Sequence, residues 1–276
     1  MLRSVKELEG YAISATDGSI GKEKDFYFDD SAWVVRYLVV DAGSWLADRE
    51  VLISPFSVGK PDWSGKLVPV SLTREQVKNS PPIDTDKPVS RQHEMGYLGY
   101  YNYPNYWGGT GLWGEGAYPG LMLSMPYAGP DVAYARARIA NDRLETQAVE
   151  ERLAESDRHL RSCNAVKGYH ILATDGEIGH VQGFLMDEFT WAIRYMVVDT
   201  SNWWVGHQVL VAPEWIESVS WSQSRVSINL TRRSIQDAPV YDPDMPLNRQ
   251  EEMDIYTHYR RPAYWSSPDV SSRLAP

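Results

Sequence analysis

Trp33-Val34-Val35-Arg36-Tyr37-Leu38-Val39-Val40-Asp41 returns later in the chain as Trp191-Ala192-Ile193-Arg194-Tyr195-Met196-Val197-Val198-Asp199. Both stretches are β-branched and aromatic and closed by an acid, the strongest strand signal in the sequence. The offset between them is 158 residues, and it holds far beyond these nine. Leu2-Arg3-Ser4 becomes Leu160-Arg161-Ser162, Leu72-Thr73-Arg74 becomes Leu230-Thr231-Arg232, and Tyr106-Trp107 becomes Tyr264-Trp265. Segments 2–107 and 160–265 align without a gap, with 42 identities in 106 positions. So long a period with only two copies is a duplicated domain and not a solenoid.

Around the repeated strand each copy reads as β. Tyr11-Ala12-Ile13-Ser14-Ala15 leads into the turn Thr16-Asp17-Gly18, and Asp25-Phe26-Tyr27-Phe28-Asp29 follows. Val51-Leu52-Ile53 and Leu67-Val68-Pro69-Val70 add strands at the rhythm of a small barrel or sandwich. Thr73-Arg74-Glu75-Gln76 has capping-box spacing and predicts a short helix that stops before Pro81-Pro82. Ser234 stands where Gln76 does, so the box is not expected in the second copy. Between the copies, Gly108 to Pro130 is rich in Gly and Pro and reads as an irregular loop. Asp131 to Arg161 holds neither residue and predicts a helix of up to about thirty residues, with Val149, Leu153 and Leu160 forming a narrow apolar stripe. The organisation expected is a first repeat with an aromatic tail over 1–107, a loop and helical linker over 108–159, and a second repeat with its tail over 160–276.

Composition bounds the function. Hydrophobic residues at 43% and charged residues at 23% belong to a globular chain and exclude bulk disorder. The net charge of −10, with no Lys/Arg-rich run, argues against nucleic acid as a partner. A single cysteine, Cys163, excludes an intramolecular disulfide and a multi-thiolate zinc site. The opening residues lack a signal-peptide core, and the most apolar stretch, Leu121 to Met125, is far too short for a membrane segment. A soluble, cytoplasmic protein is expected. Eleven Trp and 17 Tyr against five Phe supply large apolar area with polar tips, suited to barrel rims and partner surfaces as well as cores.

The ordered set Gly10, Asp17-Gly18, Ile20-Gly21, Phe26, Asp29, Trp33, Arg36 to Asp41, Val51-Leu52 and Pro55 resembles the PRC-barrel family, and it occurs twice. That module is named for the cytoplasmic domain of the photosynthetic reaction centre H subunit and also forms the C-terminal half of a ribosome maturation factor. The likeness covers about the first eighty residues of each copy. The tails carrying Arg91-Gln92, Glu94 and Met95, matched by Arg249-Gln250, Glu252 and Met253, look like the extension of stand-alone bacterial members. No stretch reads as the reaction-centre subunit's membrane helix or as the maturation factor's partner domain. What the resemblance implies is a fold, two tandem PRC-like β-barrels in a mainly β chain, and a tendency to act as a binding or adaptor module without a shared catalytic residue.

Titratable groups present in both copies are the acids Asp17, Asp29, Asp41, Asp84, Asp86 and Glu94 and the bases Arg3, Arg36, Arg74 and Arg91, each with its counterpart. No histidine is matched, so a His-based catalytic set is not built into the unit. Asp17-Gly18 and Asp29-Asp30 read as turn residues, and Asp84/Asp86 supply too few oxygens for a cation. Gly109-Thr110-Gly111-Leu112-Trp113-Gly114 matches GxGxxG only in letters, because no helix follows it. No catalytic, cofactor-binding or metal-binding residue is therefore expected.

The candidates that remain are interaction residues. Arg36 and Arg194 sit mid-strand, to snorkel, to pair with a repeated acid or to capture a partner. Trp45, Trp203 and Trp204 follow the strong strand in a loop, and Tyr106, Trp107, Tyr264 and Trp265 close the two aromatic tails. The expected function is a non-enzymatic interaction or scaffold protein of the bacterial cytoplasm that self-associates and binds a protein partner. The competing expectations are a small-ligand binder or enzyme using an inter-barrel cleft, with His170, His180 and His207 specialised in one copy, and a ribosome or RNA assembly factor by analogy.

Overall fold

The computed structural model describes residues 1–82, 89, 91–107, 109–124, 159–200 and 207–266. Of the helix expected over 131–161, residues 131–158 lie outside them, as do Asp84, Asp86, Trp203 and Trp204, while its last two residues, Leu160 and Arg161, form a strand instead. The described chain is mainly β, with two sheets and short helices.

The opening strand β1 (Leu2–Ser4) precedes β2 (Ala12–Ala15), β3 (Gly18–Asp29), β4 (Val34–Asp41), β5 (Glu50–Ile53) and β6 (Leu67–Pro69). Then β7 (Leu160–Ser162) opens the second series: β8 (His170–Ala173), β9 (Gly176–Asp187), β10 (Ile193–Asp199), β11 (Gln208–Val211), β12 (Ile216–Ser220) and β13 (Arg225–Ile228). One sheet runs β5-β4-β3-β2-β6, the other β11-β10-β9-β8-β13-β12. In each, an antiparallel hairpin (β2–β3, β8–β9) is flanked by a parallel partner (β6, β13). Residues Val34 to Val40 are all buried, as continuous β-branched and aromatic runs are when both faces are covered. The repeated Ile-Gly has a steric cause. A Cβ on Gly21 would lie 1.9 Å from the Asp41 carbonyl oxygen, and one on Gly179 2.0 Å from that of Asp199. Only glycine lets the long strand bend this close to the end of its neighbour.

Short helices punctuate the sheets. α1 (Arg74–Lys78) and α2 (Arg91–Tyr101) follow the first sheet, and α3 (Pro119–Ser124) forms within the stretch read as irregular loop. Just before it, Gly111–Gly114 and Trp113–Gly116 form isolated β-bridges, so this Gly-rich segment is a tight, ordered turn. α4 (Cys163–Val166), α5 (Arg232–Gln236) and α6 (Arg249–Tyr259) belong to the second half. The capping box predicted at Thr73 and Gln76 is present, and, against expectation, so is its counterpart: the Ser234 hydroxyl accepts the Thr231 backbone N–H at 3.1 Å. A hydroxyl one helical turn along reaches the same donor that a longer amide reaches.

The chain divides into two compact units. One holds Gly10–Ala32 and Arg36–Arg161; the other holds Ser162 onward together with Met1–Glu9 and Trp33–Val35. β1 thus adds to β9, with Leu2 opposite Asp187 and Ser4 opposite Leu185, while β7 adds to β3. β3 and β9 are each twelve residues long. The hairpin strand covers only the first part of one edge, and the added strand covers the remainder. Trp33 and Trp191, just before β4 and β10, take left-handed backbone (φ 53° and 61°), a geometry that costs a non-glycine residue about 1–2 kcal/mol.

Candidate functional site

In the unit built on the first repeat, β3 ends in Asp29, β4 carries Arg36 and Tyr37, and α2 carries Glu94. Arg36 is only 2% exposed. Its guanidinium donates to the Leu112 carbonyl at 2.7 Å and to Asp29 at 3.5 Å. It lies 3.9 Å from the Tyr106 ring centre and 4.8 Å from that of Trp113. Burial works to raise the Asp29 carboxyl, but Arg36 and hydrogen bonds from Ser31 and Ala32 outweigh it and hold the group below the ordinary carboxylate value. Glu94 is fully buried beside this pair. It accepts from the hydroxyls of Tyr37 (3.1 Å) and Tyr106 and faces His159 Nε2 at 2.7 Å. Burial, with the Glu94 charge close by, pushes the Tyr37 hydroxyl well above its usual value, so it stays a donor.

The second repeat builds the same constellation and leaves it open. Glu252 on α6 accepts from Tyr195 and Tyr264, both at 3.1 Å. Its other oxygen meets Arg249 at 3.1 Å, one helical turn before it. Asp187, the counterpart of Asp29, accepts from Phe189, from the Thr190 backbone and from its hydroxyl. Arg194 is half-buried over the Tyr264 ring at 4.1 Å, and among the described residues its side chain has no salt bridge or hydrogen bond. Burial raises the Glu252 carboxyl above its usual value despite Arg249, and pushes the Tyr264 hydroxyl to about 12.

The sequence candidates therefore gather into two clusters. Arg36 and Tyr106 meet in one, Arg194, Tyr264 and Trp265 in the other, and Arg249 stacks on Trp265 at 4.1 Å. Trp107 is half-buried and sets its ring edge-on to Tyr106. Trp45 lies apart, folded back with its indole N–H on the Ile20 carbonyl and Arg74 4.4 Å above its ring. Tail aromatics also pack inward: Tyr97 meets Tyr37 edge-on at 5.2 Å and donates to the Leu52 carbonyl. His159 and Trp113 were not singled out from sequence as parts of a site. One lies outside the repeat and the other inside a Gly-rich segment, where neither periodicity nor matching marks them.

A surface feature that sequence reasoning missed lies between β11 and α6. A cavity of about 260 Å³ is floored by Leu210, Leu247 and Ile255 and walled by Tyr241 and the exposed Val240 and Met245. Three carboxylates rim it: Asp242, Glu251 and Asp254. Each accepts one local hydrogen bond, from the Asp244 backbone, the Asn248 backbone and the Gln250 amide, and among the described residues none has a cationic partner. Tyr241 is pushed to about 12 by burial, with Glu7 and Asp242 adding to the shift. Among the described residues, no three His, Cys, Asp or Glu side chains gather as metal ligands would, and no helix is long and apolar enough to cross a membrane.

No known family profile matches the chain. A protein of Deinococcus radiodurans, described only as uncharacterized, is 32% identical over 81 residues. That match spans 29% of this chain and 29% of the relative.

Proposed function

We propose that this is a non-enzymatic interaction protein built from two tandem PRC-like barrels, and that the second repeat presents its contact surface in the groove between β11 and α6. What supports an adaptor over an enzyme is the use made of the repeated charged groups. Arg36, Asp29 and Glu94 are locked in buried bonds that a substrate does not reach, and Glu252 is held by two tyrosines. The observation that carries the reading is the groove. It joins an exposed apolar wall, Val240 and Met245, to three carboxylates that have no cationic partner among the described residues. Exposed apolar surface with a charged rim marks a contact site. The acidic rim selects its partner, a protein segment that places an aliphatic or aromatic side chain beside Lys or Arg. Self-association of whole chains belongs to the same proposal and would use this surface or the aromatic tails.

A photo-crosslinking residue at Met245 tests it in the native host. One recurrent protein adduct is expected, lost when Asp242, Glu251 and Asp254 are changed to Asn, Gln and Asn. Equal adducts from a crosslinker at exposed Glu217, away from the groove, would refute the assignment.

A further inference from the structure

The geometry points to the two repeats holding each other without the linker, each unit being completed by residues of the repeat it is not built on and fitted to that repeat, not to a second copy of its own. Positions equivalent in the two repeats meet one another inside the unit that holds Met1–Glu9, Trp33–Val35 and the second repeat. Val34 and Ala192, 158 residues apart and so the same position of the repeat, form an antiparallel bridge. On either side the bonds are reciprocal: Val35 N–H donates to the Trp191 carbonyl at 2.8 Å, and Ile193 N–H to the Trp33 carbonyl at 2.7 Å. Residue i meets j while j meets i, which is the signature of an isologous two-fold contact. Glu9 and Lys167, again equivalent positions, form an ion pair.

The opening strands obey the same operation. Glu188 N–H donates to the Met1 carbonyl at 3.1 Å, and Arg3 pairs with Glu188 at 3.3 Å. In the other unit, Asp30 N–H donates to the His159 carbonyl at 2.9 Å, and Arg161 pairs with Asp30 at 2.7 Å. Each unit is thus closed by the opening strand of the repeat it is not built on.

The pair is also specified against self-pairing. Two first repeats would set Glu9 against Glu9 and Val34 against Val34; two second repeats would set Lys167 against Lys167. In the fused chain a carboxylate meets an ammonium, and a larger apolar side chain meets a smaller one, Val34 and Ala192 both being buried. Opposite charges at one symmetric position, and like charges in the alternatives, are what make a hetero-pair win. The linker is therefore not what keeps the repeats together.

The test uses the full chain with a protease site placed between residues 131 and 158, cutting being checked on a denaturing gel. The two fragments are expected to elute together from a size-exclusion column at the 31.4 kDa of the intact chain. Fragments that part on cutting, each keeping its native circular dichroism, would overturn the inference. In urea chosen to bring dissociation into the micromolar range, Lys167→Glu is expected to raise the dissociation constant roughly five-fold at low salt, because the pair is partly exposed. The combined Glu9→Lys and Lys167→Glu exchange is expected to restore it. A loss that the exchange does not reverse would show that these positions do not face each other.

Discussion

The Arg36 and Arg194 clusters start from the same residues and end in different states. Both place an arginine on the strand that follows the long one, a tyrosine face over it and a glutamate from a later helix between two tyrosine hydroxyls. In the first repeat Trp113, fully buried, closes over the guanidinium and the Leu112 carbonyl accepts a hydrogen bond from it. In the second, Arg194 has an aromatic face and nothing to donate to among the described residues. Equivalent residues thus need not keep equivalent bonds. Here the cost of burying an arginine is met on one side by a carboxylate and a carbonyl, and lessened on the other by leaving the group partly exposed.

The largest expected difference is between the two arginines. Arg36→Met leaves Asp29 buried without its counter-charge and is expected to cost about 3–5 kcal/mol. Arg194→Met gives up one partly exposed cation–π contact and is expected to cost about 1 kcal/mol or less. Urea denaturation followed by tryptophan fluorescence compares them. Equal losses would mean that the open cluster is sealed in solution.

A finer test removes one hydroxyl from each cluster. Tyr106→Phe deletes a buried bond to Glu94, and bonds to charged groups are worth about 1.5–3 kcal/mol. Tyr264 is half-buried, so water can replace its hydroxyl on Glu252, and Tyr264→Phe is expected to cost less than about 1 kcal/mol. The same denaturation series reads both changes. A reversed order would show that exposure does not separate the two sites.

These contrasts explain which parts of the molecule were legible beforehand. Trp33 to Asp41 and its echo announce a strand because β-branched side chains want a pleated, covered surface, and Ile20-Gly21 with Ile178-Gly179 mark where strands come too close for a side chain. The paired glutamates also stood out as matched acids. What pattern could not carry was the destination of Leu2-Arg3-Ser4, since the same three residues complete either repeat's sheet equally well on paper. Nor could it show Trp113 as a lid, because a Gly-rich stretch carries no period from which to read packing. Ser234 departs from the pattern for a simpler reason: the pattern asks for a long Glu or Gln side chain, while the bond needs only an oxygen within reach. The groove was hidden because Leu210 of β11, the loop carrying Val240 and Met245, and Asp254 of α6 meet only after folding.

The two clusters should also part in acid, and in opposite directions. Asp29 has its folded-state carboxyl held below the ordinary value, so its contribution to stability is complete above the unfolded value near 3.8 and is lost as pH falls through the lower, folded one. Glu252 is raised above 4.5, so the folded state holds the proton more tightly than the unfolded chain does. Its contribution is present below 4.5 and disappears as pH rises through the folded value. On acidification from neutrality Glu252 should therefore take its proton first and Asp29 last. Carboxyl carbon chemical shifts, assigned with Glu252→Gln and Asp29→Asn, follow each group directly. The reverse order would mean that Arg36 does not hold the Asp29 charge, and the contrast between a sealed ion pair and an open glutamate would fail with it.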